Sequence, residues 1–140
     1  MEVAELGPGD DEHVVRAQHL FDDPVDAAAV SAYLADPRHH LLIASVDDTP
    51  AGFVTGIELL HPDKERPEMF IYELGVDERF RRRGAATALL EACAALARGR
   101  GCHRLTLESG HQRAEAHRLY EGSGFTHGGR QYSMALDGPE

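Results

Sequence analysis

Three groups of residues in this chain have the types and spacing to do chemistry. The first is Arg81-Arg82-Arg83-Gly84-Ala85-Ala86-Thr87, which follows an apolar run and opens a small-residue stretch. The first turn of a helix leaves backbone N–H groups unpaired and carries a partial positive charge, so anionic phosphates settle there. Gly84 and Ala86 keep the backbone open to a ligand. The three arginines add charge against a pyrophosphate. The same residues also fit a basic exposed turn with Gly84 as punctuation. The second group is Glu73, the one charge inside the apolar run Met69 to Val76. A half-buried carboxylate there can take a proton, anchor a cation, or hold an arginine. The third is Arg113-x-Glu115-Ala116-His117-x-Leu119-Tyr120-x-x-x-Gly124-Phe125, with a tyrosine just ahead of a Gly-Phe turn.

These groups need elements to position them. Val3 to Leu6 reads as a first strand, ended by Gly7-Pro8-Gly9. A helix capped by Asp10 or Asp11 runs to about Leu20, with Val14, Val15 and Leu20 inward. Asp22-Asp23-Pro24 starts a second helix, stopped by Asp36-Pro37. His40 to Val46 and Gly52 to Leu60 form a hairpin about Asp47-Asp48-Thr49-Pro50. Residues 61–67 are a polar loop, and Met69 to Val76 is a central strand. A helix follows over about 84–98, closed by Gly99 and Gly101, and His103 to Leu107 is another strand. A helix over about 112–121 and short strands at 125–127 and 130–136 end the chain. No repeat or linker interrupts this order, so residues 1–140 read as a single domain.

Composition narrows the function. The apolar fraction of 42% is globular, and the formal charge of -10 argues against a nucleic-acid partner. A negative field suits a cationic substrate, though an acidic surface is also ordinary. Cys93 and Cys102 offer no disulfide framework, and read as free thiols of a reducing cytoplasm. The N-terminus is acidic and lacks the apolar run of a signal peptide. Ala85 to Ala97 is too short to span a bilayer, so no membrane association is expected. The histidines lack metal-ligand spacing, and no metal is expected. No Gly-Lys-Ser/Thr loop and no three-glycine dinucleotide fingerprint occurs.

Residues 68–90 and 104–126 resemble the two main motifs of the GNAT acetyltransferases. That family carries Gln/Arg-x-x-Gly-x-Gly/Ala at a strand-to-helix turn. It then places a Leu-Tyr or Phe-Tyr pair ahead of Gly-Phe. The resemblance implies an α+β GNAT fold: a mixed, mostly antiparallel sheet of roughly six to seven strands with helices on both faces. Strands four and five splay apart, opening a slot for the pantetheine arm of acetyl-CoA, the expected co-substrate. Backbone groups of Leu74 and Val76 pair with that arm like an added strand. Residues Arg81, Arg82, Arg83, Gly84, Ala85, Ala86 and Thr87 hold the pyrophosphate. Tyr120 protonates the departing thiolate, a general-acid role. Glu73 lies one residue before the splay and is the candidate base for the acceptor amine. Many family members are dimers, so a homodimer is compatible, although no interface is legible.

Residues 61–76 followed by Arg81-Arg82-Arg83-Gly84-Ala85-Ala86-Thr87-Ala88-Leu89 are similar to the GNAT-type aminoglycoside 3-N-acetyltransferases. By that likeness Glu73 stands beside the acceptor amine. Those enzymes place two Asp residues ahead of the Leu-Tyr helix, where this chain has Arg113-Ala114. The acidic residues Asp22, Asp23, Asp26, Asp47, Asp48 and Glu58 could compensate, or simply be solvated. Three readings follow. The first is a small-amine acetyltransferase with an aminoglycoside acceptor, and hence antibiotic resistance. The others are a peptide or protein N-acetyltransferase and a CoA-binding module without turnover.

Overall fold

The computed structural model describes residues 1–108, 114–126 and 134–136, without the side chains of 114–117. It divides into two compact units, Met1–Leu107 and Glu108–Glu140. The first holds β1 (Glu2–Leu6), α1 (Asp11–Arg16), α2 (Ala27–Ala35), β2 (His39–Val46), β3 (Thr49–Leu59), β4 (Glu68–Val76), α3 (Ala85–Gly99) and β5 (Arg104–Leu107). The second holds α4 (Ala114–Gly122). Among the described residues no helix is long and apolar enough to cross a membrane.

The sheet runs β1-β2-β3-β4-β5, antiparallel except for the parallel β4–β5 pair. Among the described residues it has five strands, where about six or seven were expected. Of the two missing strands, Phe125 and Thr126 and residues 134–136 are not extended ladder, and the remainder lies outside the described residues.

The β2–β3 hairpin closes on Asp47-Asp48 alone. Both have left-handed φ, 48° and 65°, the two-residue turn whose twist suits a hairpin. Thr49 and Pro50, expected in the turn, therefore belong to β3, and a register shift at Ala44/Ser45 absorbs the difference. One face of the sheet is covered by α3, whose Leu89, Leu90 and Cys93 are buried. Gly52 makes room for it: a Cβ there would lie 2.9 Å from the Gly75 carbonyl oxygen and 3.2 Å from Leu89 Cδ1.

The other face carries a core of Val14, Ala17, Leu34, Leu41, Ile43 and Phe53, with the Phe21 ring 4.5 Å from that of Phe53. Two helix expectations change here. The first helix stops at Arg16 and passes into a short 3-10 turn, Gln18–Leu20, so Val15 points to solvent. The second begins at Ala27 because Asp26, not Asp22 or Asp23, is its cap. Asp26 Oδ2 accepts from Ala29 N at 2.9 Å. Residues 21–26 remain outside any helix, and Asp22 and Asp23 stay exposed.

Candidate active site

Glu73 sits on β4 directly opposite Thr55 of β3, and its backbone N–H donates to Thr55 Oγ1 at 3.0 Å. One residue earlier the register shifts. Gly56, next after Thr55, faces Ile71, so Tyr72 has no cross-strand partner and forms a β-bulge. Glu73 is half-buried and lines an open cavity of about 310 Å³. Asp22, Asp23 and Asp26 line the same cavity, above apolar walls from Phe21, Val30 and Leu41. The unwound stretch before α2 supplies these acids, as a result of the later helix start.

Burial pushes the Glu73 carboxyl above the ordinary glutamate range, and the Asp22 charge adds to this. The Thr55 hydroxyl acts in the opposite direction. The Tyr33 phenol, also on the cavity wall, is raised by burial and by the Glu73 charge. Its hydroxyl donates to the His40 carbonyl at 2.6 Å. The cavity therefore gathers four carboxylates, of which only Glu73 is set into the sheet.

Two of the expected acidic groups lie elsewhere. Asp47 and Asp48 form the hairpin turn. Glu58 is 7% exposed, does not line the cavity, and is bound into another network. Its Oε2 lies 2.6 Å from His40 Nε2 and accepts from Arg100 Nε at 2.8 Å. His40 Nδ1 in turn lies 2.7 Å from Glu5 Oε2. Sequence reading missed this cluster because its members are 18 to 42 residues apart along the chain.

The β4–β5 ladder ends at Ile71 opposite Leu107. Beyond it β4 keeps its β3 partners, with Leu74 opposite Val54 and Val76 opposite Gly52. On its other side residues 72–76 have no strand partner among the described residues. Edge groups left this way can pair with an extended ligand.

The basic turn follows at once. Asp77 caps a short 3-10 turn, Glu78–Phe80: its carboxylate accepts from Arg79 N at 2.9 Å and from the Arg79 side chain at 2.8 Å. Those hydrogen bonds hold the Asp77 carboxyl down at about 2. Arg83 stacks over the Phe80 ring at 5.5 Å. Arg81 and Arg82 are exposed, with no carboxylate paired to them among the described residues. Arg82 has φ 64° and Gly84 φ 82°, so the chain turns sharply into α3. A Cβ at Gly84 would meet nothing within 4 Å, so the left-handed backbone is what favours glycine here. Among the described residues no side chain caps α3, and the N–H groups of Ala85, Ala86 and Thr87 open its first turn. Ala85 is buried, so its backbone rather than its side chain is available.

Tyr120 lies in the second unit, half-buried, in the last turn of α4. Gly124 has φ 97° and turns the chain back, so Phe125 N donates to the Tyr120 carbonyl at 3.0 Å. The two rings meet edge-on, 6.2 Å apart. Arg113 and the His117 side chain lie outside the described residues.

The described site thus pairs a β4–β5 ladder that ends at Ile71 with an exposed basic turn at the start of α3. The acetyltransferase (GNAT) family model matches residues 10–125. The chain belongs to this family of acetyltransferases. It is similar to the uncharacterised N-acetyltransferase YycN of Bacillus subtilis (strain 168), 33% identical over 94 residues. That match covers 66% of this chain and 58% of the relative's length. Among solved structures it is similar to the aminoglycoside acetyltransferase meta-AAC0020 from an uncultured soil metagenomic sample, in complex with sisomicin. The TM-score is 0.87 at 17% identity, covering 96% of this chain and 94% of that one. It is also similar to AAC(6')-Iy in complex with the bisubstrate analogue CoA-S-monomethyl-acetylneamine. That TM-score is 0.80 at 18% identity, covering 96% of each chain. At these identities the likeness is one of fold.

Proposed function

We propose that this chain transfers the acetyl group of acetyl-CoA to an amine of a small polycation, with an aminoglycoside 3-amino group as the leading acceptor. The observation that carries this is the cavity lined by Glu73 of β4, which stands there among Asp22, Asp23 and Asp26 over apolar walls. Four carboxylates suit several ammonium groups, and the apolar walls suit the carbon frame between them. The sisomicin and acetylneamine complexes of fold neighbours support the same class.

In this reading acetyl-CoA supplies an activated acetyl thioester. Its pantetheine arm pairs with the backbone of Leu74 and Val76. Its pyrophosphate rests on the N–H groups of residues 82–87, with Arg81 and Arg82 offsetting charge. The acceptor enters as an ammonium and pairs with Glu73, which takes its proton directly or through water. A carboxyl held above its ordinary range is a stronger base for that step. The freed amine then forms the new C–N bond as the C–S bond breaks; Tyr120 gives a proton to the sulfur, and the proton that the nitrogen sheds on becoming an amide restores the phenol, directly or through water.

A thiol-release assay with gentamicin-type and kanamycin-type aminoglycosides, spermidine and a short Lys peptide tests the proposal. Saturable release with an aminoglycoside, and a product N-acetylated at the 3-amino group, is the expected result. Release with the peptide alone would move the reading to a protein acetyltransferase. Acetyl-CoA binding without release for any amine would make the chain a binding module. Gly84→Asp, which adds negative charge at the anion site, should abolish acetyl-CoA binding in calorimetry.

A further inference from the structure

We infer that Tyr72 is a specificity-determining residue: its exposed ring, outside the cavity lining but next to Glu73 along β4, selects amines carried on a saturated ring over open-chain polyamines. This rests on the acidic cavity being the acceptor site. The bulge carries the argument. Ile71 pairs with Gly56, and a Cβ at Gly56 would approach the Met69 sulfur at 3.0 Å and Cys93 Sγ at 3.8 Å. Gly56 and Ile71 therefore share the face covered by α3. Alternation turns Tyr72 to the opposite face. Glu73, opposite Thr55, lines the cavity on that same opposite face. The extra residue thus makes two consecutive side chains emerge together, an aromatic ring and a carboxylate.

Tyr72 is 74% exposed and is the first residue of β4 beyond the end of the β4–β5 ladder. It has no hydrogen bond and no ring partner among the described residues. The ring is thus idle in the packing and stands next to the one cavity carboxylate that belongs to a strand. A saturated ring bearing an equatorial ammonium has complementary chemistry: its edge presents charge to Glu73, and its C–H face covers the phenol ring. A linear polyamine offers the charge without the face.

Calorimetry at one fixed ionic strength, with a kanamycin-type aminoglycoside and spermidine as probes, tests this on the full chain. Tyr72→Ala should weaken the aminoglycoside about tenfold, the loss of one ring contact, and spermidine by no more than about twofold. Tyr72→Phe should bind both as wild type does, since the ring face acts and not the hydroxyl. The thermal midpoint should not move, because the side chain is exposed. Equal weakening of both probes, or of neither, would overturn the inference. Aminoglycoside binding lost in Glu73→Gln but intact in Tyr72→Ala would sink it while leaving the cavity reading in place. A wild type that binds neither probe would overturn both together.

Discussion

Glu73 and Tyr120 carry the proton transfers of the proposed reaction, and each has a change that keeps shape while removing function. Glu73 serves as base only when ionised. Burial and Asp22 raise its pKa, so activity should fall as pH drops through a value above the ordinary glutamate range. The acidic limb of the pH–rate profile should therefore lie higher than for an exposed carboxylate. In Glu73→Gln that limb should vanish, with kcat lowered and the amine KM raised. A profile identical to wild type, with only thermal stability lost, would make Glu73 structural. Tyr120→Phe keeps the edge-on contact with Phe125 and deletes the acid. We expect kcat to fall by ~10²–10⁴-fold with acetyl-CoA affinity preserved, since that is the usual worth of a general acid. Wild-type turnover would assign the proton to water.

Strands and helices are tied together by polar groups as well as by the two apolar layers. The Glu5–His40–Glu58–Arg100 cluster joins β1, β2 and β3 to the residue after α3. Burial alone would raise the Glu58 carboxyl, but hydrogen bonds from His40 and Arg100 outweigh it and lower it overall. A carboxyl lowered in the folded state stabilises fully above its unfolded pKa. That contribution is lost as pH falls through the folded value. Urea denaturation should thus show stability declining below the ordinary glutamate pKa, and the decline should be shallower in Glu58→Gln. His40→Ala leaves Glu58 short of one partner in a buried place, and should cost about 2–3 kcal/mol at neutral pH. A cost under about 0.5 kcal/mol, the level of a surface substitution, would mean that the cluster contributes nothing.

The net charge of -10 acts over the entire protein. A polycationic acceptor is drawn by that field and by the local carboxylates together, and salt screens both. Raising ionic strength from about 0.05 to about 0.5 M should increase the aminoglycoside KM severalfold. The acetyl-CoA KM should respond in a different way, since its anionic end meets arginines within an acidic protein. An aminoglycoside KM indifferent to salt would argue that apolar contacts alone hold the acceptor.

Much of this was legible along the chain. The Arg81–Thr87 turn lies between a strand and a helix that are contiguous in sequence, so local periodicity sufficed to place it. The hairpin followed from two apolar runs about a polar turn, the central strand from a run apolar on both faces apart from Glu73, and the family from two motifs on consecutive elements. Other features were not decided by the local pattern. Asp26 won the helix cap over Asp22 and Asp23, a choice between equally good capping residues that propensity does not separate. That choice freed two acids for the cavity. Glu58 went to the buried network rather than to the acidic patch because β3 alternation turned it toward Arg100, far along the chain. The bulge at Tyr72 depends on how β4 registers against β3, and one strand alone does not contain its partner's register. Side-chain types are local, but which face they share is decided when strands pair.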